Sequence, residues 1–491
     1  MKVRSVGILA AVGMMLTSLT VWSLTPKGTG VEPEPGPVAT IAGPIQHAPD
    51  PSRFTAGRTL MMEGRLGNAR LAADQDNQTF LSVSVKAAAE AVASTPSPLE
   101  LAIVIDRSGS MKGKRLNNAI AAAQGMIRRL RDGDVVSVIA YNTQTETLVR
   151  STTIDASSRE RAIAAVSGLE ARGDTCISCG IDAGMDMLQK RGGMVERMLL
   201  LSDGEATAGV RDVQGFRRIA STVRHLGAAI STIGVDVDYN ERVMTALAQE
   251  SNGEHYFVEN PSGLSQVFDK ELQSLVHTVA KDTNLTIALA PGVDVEQVFD
   301  RSFQRDGDRI LVPMGSFAAG DTKTLLVRVH VPRGAAGERA IADVKLDYDD
   351  LDARSPGSCR GSLAALLVDD RSDVSPVDPL VQGRVERSET ASTLREANHL
   401  FATGKADEAK RKLATRLHAL RHQRAEAEKS APRPRKKEVV ADFDHQANVL
   451  GQAEEGFKAP AAAAAGAEPA HSHAGKAQVR RNAADAFDLA R

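Results

Sequence analysis

Three short clusters, far apart along the chain, carry the residue types that hold a hard cation. The first, Asp106-Arg107-Ser108-Gly109-Ser110, sets one carboxylate and two hydroxyls at alternate positions. The second, Arg172-Gly173-Asp174-Thr175-Cys176, adds the Thr175 hydroxyl, and the third, Ser202-Asp203-Gly204-Glu205, adds Asp203. Asp106, Ser108, Ser110, Thr175 and Asp203 together make a donor set of carboxylates and hydroxyls. Such donors suit Mg²⁺, which takes oxygen ligands octahedrally at about 2.0–2.1 Å and keeps some of its waters. Mn²⁺ and Ca²⁺ accept the same hard ligands. Any one of these residues alone reads as a helix cap or turn former. Independent caps have no reason to recur in this order, and the joint pattern points to a shared ion.

Positioning such a set requires strands that end where the carboxylates begin. Leu99–Ile105 is an apolar run rich in Ile and Val, the pattern of a strand buried on both faces of a parallel sheet, and it delivers Asp106 at its end. The run from Arg197 does the same for Asp203, and Gly204 permits the tight turn that follows. Thr175 sits in a loop entering a helix that runs to about Gln189. Between and after these segments the periodicity alternates: helix 116–130, strand 135–140, an antiparallel partner at 147–153, helix 158–169, helix 213–226, strand 228–235, helix 241–250, strand 255–258 and helix 264–279. Strand–helix alternation implies right-handed crossovers and a doubly wound sheet, whose ligands lie beyond the carboxyl ends of the strands. Asp236 and Asp238 fall on that same edge, either lining the site or serving as turn carboxylates.

At this point the set resembles the metal-ion-dependent adhesion site (MIDAS) of von Willebrand factor type A (VWA) domain proteins of exported bacterial type. The resemblance covers roughly residues 97–275 and rests on Asp106-Arg-Ser108-Gly-Ser110-Met111, Thr175 and Asp203 in order. It implies that the serines and the threonine contact the metal, that the aspartates bind it directly or through water, and that an Asp or Glu of a protein partner completes the coordination. One departure is Asp174-Thr175-Cys176, where many relatives have Gly-Thr-Asn; the extra carboxylate either strengthens metal binding or faces solvent. The resemblance also implies a β domain flanking or enclosing the α/β domain.

Charge and composition narrow the function classes. The 491 residues carry 60 Lys+Arg against 62 Asp+Glu, which leaves no electrostatic footprint for nucleic acid. Aromatics are only 3%, too few for stacking platforms on single strands. No His falls within the three clusters, and the chain has no Gly-x-Ser-x-Gly elbow, His-Glu-x-x-His helix or phosphate-cradling glycine loop. The expectation is a binding module with no catalytic residues and no enzyme activity. The alternatives are a metal-dependent hydrolase or a thiol–disulfide protein using Cys176-x-x-Cys179. Those cysteines, at a helix N-terminus beside Thr175, read either as a local disulfide that tunes the loop or as two small buried side chains. Cys359 is then unpaired, in a loop.

Lys2 and Arg4 precede an apolar stretch from Val6 to Leu24, and Pro26 follows. A basic flank before an apolar core means export, as an uncleaved membrane anchor facing outward or as a cleaved signal peptide that releases a secreted or periplasmic protein. The expected organisation is a signal or anchor segment at 1–25, a Pro/Gly-rich linker at 26–58 and strands at 59–96 that pair with a later sandwich. The VWA domain occupies 97–280, the β-sandwich 281–372 and a helical hairpin 376–428. A low-complexity tail at 429–491, with Pro432-Arg-Pro-Arg-Lys-Lys437, Ala461–Ala465 and His471-x-His473, reads as unable to bury a core. The fold class is thus α/β: a doubly wound, Rossmann-like VWA domain inserted in or flanked by a β-sandwich, with a C-terminal helical segment.

Overall fold

The computed structural model describes residues 50–89, 96–189, 193–458 and 469–491. The signal or anchor segment, the linker as far as residue 49 and Ala461–Ala465 lie outside them.

Four strands come first: β1 (Arg53–Gly57), β2 (Leu60–Leu66), β3 (Arg70–Ala72) and β4 (Asn77–Ala87). The expected linker therefore ends earlier than residue 58, because β1 pairs antiparallel with β2 from Arg53↔Arg65 to Gly57↔Met61. The α/β domain follows as β5 (Leu99–Asp106), α1 (Lys114–Arg129), β6 (Val135–Tyr141), β7 (Thr145–Thr153), α2 (Ala156–Ser167), α3 (Ile177–Met187), β8 (Val195–Ser202), α4 (Val213–His225), β9 (Ala229–Val235), α5 (Glu241–Ser251), β10 (His255–Val258) and α6 (Leu264–Val276). Its sheet runs β10-β9-β8-β5-β6-β7, parallel except for the antiparallel edge strand β7.

Every residue of β5, β6, β8 and β9 is buried, the physical reason for their predominantly apolar sequences. Apolar residues of α1, α2 and α6 form a core on one face with Leu101, Ile103 and Ile105. Residues of α3, α4 and α5 form the other with Ala102 and Val104. Each fully buried Ile, Val or Leu contributes on the order of 1.5–3 kcal/mol. The helix expected to reach residue 279 stops at Val276, since Thr278 already pairs with Ala318 in the next sheet.

The chain then returns to β structure: β11 (Thr278–Leu289), β12 (Asp294–Val298), β13 (Gln304–Asp306), β14 (Arg309–Ala318), β15 (Thr322–Val331), β16 (Gly337–Asp350) and β17 (Ser355–Val368). One sheet is ordered β1-β2-β4-β15-β12 and the other β13-β14-β11-β16-β17-β3. The β4–β15 ladder, from Thr322↔Lys86 to Val331↔Asn77, joins residues on either side of the α/β domain. That domain is therefore an insertion in a β-sandwich whose core holds Leu81, Val83, Ile287, Val312, Val327 and Leu346. Cys359, expected in a loop, lies in β17 opposite Leu346 and half-buried against this core.

Four helices close the chain: α7 (Pro379–Ala402), α8 (Ala406–Ser430), α9 (Lys436–Lys458) and α10 (His473–Leu489). The reading of 429–491 as a low-complexity tail is corrected for 429–458 and 469–491. Val439, Phe443, Leu450, Ala453 and Phe457 of α9 and Val479 and Ala486 of α10 share a core with Leu394, Phe401 and Leu413. Their spacing of three, four or seven residues makes an apolar stripe that the surrounding Ala, Lys and Glu content dilutes. Phe401 and Phe457 stack with ring centroids 4.1 Å apart. Among the described residues no helix is long and apolar enough to cross a membrane.

Candidate metal centre

The strand order places β5 between β6 and β8, so the chain leaves β5 in one direction and later returns on its other side. This reversal opens a crevice at the carboxyl ends of β5 and β8, where doubly wound sheets bind ligands. Asp106 is the last residue of β5, and Asp203 directly follows the last residue of β8.

Both aspartates are fully buried. Asp106 Oδ1 accepts the Ser108 N–H at 2.8 Å, and its Oδ2 accepts the Ser202 hydroxyl at 2.8 Å and the Tyr141 hydroxyl at 3.4 Å. The Ser108 and Ser110 hydroxyls stand 3.0 Å apart, and Ser110 donates to Asp203 Oδ1 at 2.7 Å. Ser110 Oγ and Thr175 Oγ1 lie 3.6 and 3.7 Å from the point where a Cβ on Gly204 would stand, so both hydroxyls face one spot. All five residues named from the sequence thus gather around the two strand ends.

Backbone bonds between the loops hold this arrangement. Gly109 N–H donates to Gly173 O at 2.9 Å, and Arg172 N–H to Arg107 O at 2.8 Å. The Thr207 and Ala208 N–H groups both donate to Thr175 O, while Thr175 N–H donates to Thr207 Oγ1 at 2.9 Å. Cys176 and Cys179 are joined by a disulfide across the first turn of α3, with Cα atoms 5.3 Å apart. Gly209, at φ +70°, passes so close that a Cβ would meet Ser178 Oγ at 2.4 Å and Cys176 Sγ at 2.7 Å. Only glycine combines that backbone with that approach. Asp174 is exposed.

Burial pushes the Asp106 carboxyl up to about 6, against hydrogen bonds from Ser108 and Ser202 that favour the charged form. Burial also raises Asp203, opposed by Ser110 and by the Arg115 guanidinium, whose Nη1 lies 2.8 Å from Oδ2. The same guanidinium binds Asp236 Oδ2 through Nε at 3.0 Å and Nη2 at 2.6 Å. Burial works to raise Asp236 as well, but the Arg115 and Val237 hydrogen bonds prevail and its carboxyl falls below the usual range. Asp236 is at once the turn former, at φ 61° with Oδ1 accepting its neighbour's N–H at 2.7 Å, and part of the site's rim. Asp238 is half exposed, 3.8 Å from Arg115.

The donor set fits a hard divalent ion. The hydrogen-bond partners of the buried Asp106 among the described residues, Ser108, Ser202 and Tyr141, are all neutral, and a buried carboxylate without a compensating charge is costly. No three His, Cys, Asp or Glu side chains gather as a cation cage among the described residues; the other oxygens beside the two aspartates are the hydroxyls of Ser108, Ser110 and Thr175.

Sequence reasoning did not single out Arg115, Ser202 or Tyr141 for the site. Ser202 had a visible signal, standing beside Asp203 at a strand end. Tyr141 had none, because only the β5–β6 register, which sets it opposite Asp106, brings it in.

The VWA family, von Willebrand factor type A domain, matches residues 100–270. The chain is 27% identical to the uncharacterized protein sll0103 of Synechocystis sp. (strain ATCC 27184 / PCC 6803 / Kazusa) over 265 residues, 52% of this chain and 62% of that one. It is 27% identical to the uncharacterized protein YfbK of Escherichia coli (strain K12) over 287 residues, 56% of this chain and 48% of that one. The chain therefore spans less than two thirds of either relative. In fold it is similar to a von Willebrand factor type A protein from Catenulispora acidiphila, with TM-score 0.65, 17% identity and coverage of 82% of this chain and 91% of that one. The ArnB paralog VWA2 from Sulfolobus acidocaldarius gives TM-score 0.51 and 19% identity, over 80% and 98% of the two chains. VWA domains commonly mediate protein–protein interaction and commonly bind a divalent metal. Residues 100–270, with the inserted doubly wound sheet and its three clusters in order, thus form the part of the chain that is similar to VWA domains.

Proposed function

We propose that the chain is a metal-dependent protein-binding module, an adhesion or scaffold protein of the cell envelope, that captures an Asp or Glu carboxylate of a partner protein. Asp106, Ser108, Ser110, Thr175 and Asp203 would hold the ion, with Mg²⁺ expected first and Mn²⁺ or Ca²⁺ as the substitutes. The ion, when bound, supplies a Lewis-acidic position for an oxygen ligand from outside the chain. Asp106 and Asp203 carry the negative charge, while Ser108, Ser110 and Thr175 contribute neutral oxygens and leave positive charge for the partner. The loops at 107–113, 172–175 and 204–211 surround that position and select which partner fits. The envelope location rests on the apolar run 6–24 behind Lys2 and Arg4.

One observation carries the reading: a fully buried Asp106 whose hydrogen-bond partners among the described residues are neutral, facing the same crevice as Asp203. Calorimetric titration of the whole chain with Mg²⁺ and Mn²⁺, wild type beside Asp106→Ala, tests it. Binding that disappears in the variant, together with an EDTA-sensitive partner in pull-down from an envelope extract, is the expected result. Partner binding that survives both EDTA and Asp106→Ala would sink the proposal.

A further inference from the structure

A fixed cation already stands beside the candidate metal site. Arg115, in the first turn of α1, donates from Nη1 to Asp203 Oδ2 at 2.8 Å and to the Ser110 carbonyl at 3.0 Å. Its Nε and Nη2 both reach Asp236 Oδ2, and Nη2 lies 3.8 Å from Asp238. Asp203 is thereby divided: Oδ1 faces the Ser110 hydroxyl within the crevice, and Oδ2 faces the guanidinium. Asp236 holds the far side of the same guanidinium and sits in the left-handed region at φ 61°, where its Oδ1 accepts its neighbour's N–H. Helix α10 supports this carboxylate side, with His473 Nε2 3.5 Å from Asp236 Oδ1 and Lys476 Nζ 2.9 Å from Asp238 Oδ1.

Resting on the metal-site reading above, we infer that Arg115 is a positioning residue that sets how tightly the site takes a divalent cation, and that Asp236 tunes it by drawing the guanidinium away from Asp203. The physical basis is charge at short range. A guanidinium in contact with Asp203 balances that carboxylate when the site is free and repels a dication brought to the same group. Arg115 is always charged, so the opposition is permanent and is modulated only by where the guanidinium sits. Asp236 accepts two bonds from it against one accepted by Asp203, and α10 holds the neighbouring Asp238. A cation entering at Asp203 therefore shifts Arg115 toward a carboxylate pair already arranged to receive it.

The two residues then have opposite effects on metal affinity, which a merely structural role does not produce. Calorimetric titration of the whole chain with Mg²⁺ reads them directly. Arg115→Gln is expected to tighten Mg²⁺ binding by about tenfold, since one repelling charge is removed. Arg115→Lys keeps the charge and is expected to stay within about threefold of wild type. Asp236→Asn, which tolerates the left-handed backbone, is expected to weaken binding several-fold because Asp203 is then the one carboxylate in hydrogen-bond contact with Arg115. In the Arg115→Gln background the same Asp236→Asn change is expected to have less than about a twofold effect, the signature of one residue acting through another. Circular dichroism melts of each variant establish that it is folded. Equal or weaker affinity in Arg115→Gln, with Asp106→Ala still abolishing binding, overturns the role of Arg115 and leaves the metal site standing. An Asp236→Asn effect that persists in full in the double variant overturns the tuning through Arg115. Absence of binding in both wild type and Arg115→Gln overturns this inference together with the metal-site reading.

Discussion

The Ser110 hydroxyl donates to Asp203 Oδ1 at 2.7 Å, a contact between residues 93 positions apart that ties the end of β5 to the end of β8. A serine has one hydroxyl proton, so in the 3.0 Å pair with Ser108 it is Ser108 that donates and Ser110 that accepts. The two serines thus form a directed chain ending on a buried carboxylate. Ser110→Ala removes the last link. The expected loss is about 1 kcal/mol of stability in EDTA, since a buried acceptor loses a donor while the exposed position of Ser110 lets water replace part of it. Urea unfolding of the two proteins measures it, and an unchanged midpoint would argue that the bond does not form.

Asp106 predicts how stability varies with pH. Its carboxyl is raised from 3.8 to about 6 by burial, so the folded, metal-free protein holds this proton more tightly than the unfolded chain. The resulting penalty is absent below about pH 4, builds as pH rises toward about 6 and is constant above, at about 3 kcal/mol. Asp106→Asn removes it. In EDTA at pH 7.5 the variant is expected to be the more stable protein, with the gap closing toward pH 4. Saturating Mg²⁺ is expected to reverse the order by stabilising wild type alone. Urea midpoints across pH, with and without Mg²⁺, test both statements; a wild type more stable than the variant in EDTA would contradict them.

The cysteines make a countable prediction. With Cys176 and Cys179 joined and Cys359 free, the oxidised chain of three cysteines exposes one thiol to an alkylating reagent under denaturing, non-reducing conditions. After reduction it exposes three. Mass spectrometry of the alkylated protein distinguishes these states, and three thiols before reduction would mean that the two loop cysteines are not bonded.

Phe443 reports on the C-terminal helices. It is fully buried in α9, in a core shared with Leu394, Phe401 and Leu450. Phe443→Ala is expected to cost about 3–5 kcal/mol, the usual range for deleting a buried aromatic side chain. A mobile tail would show no such cost, so thermal unfolding of this variant separates the two descriptions of residues 429–491.

From the sequence alone, the parallel strands and the donor set were legible because each rests on local information. Burial on both faces makes the second halves of β5 and β8, Leu101–Ile105 and Met198–Leu201, continuously apolar, and the change to Asp106 and Asp203 marks where those runs end. The hydroxyls at alternate positions after Asp106, and Thr175 before a helix, are likewise local patterns. The insertion of the α/β domain could be anticipated because β4 alternates as a half-buried strand does, in the same manner as β15 across the gap.

What needed the tertiary structure are relations with no local trace. Arg115 reads as one more charged residue in the first turn of α1, and only the pairing of β8 with β5 and of β9 with β8 brings Asp203 and Asp236 to its guanidinium. Tyr141 reaches Asp106 through strand register, which side-chain alternation alone does not set when a strand is buried on both faces. The stripe of α9 has no strong local signal because a few apolar residues spread over several turns, among alanines and charges, acquire meaning only when another helix offers a face to cover them. Composition and spacing specify which groups a chain can present; the distance between groups far apart in sequence is decided by packing, because contact energies depend on the whole fold being in place.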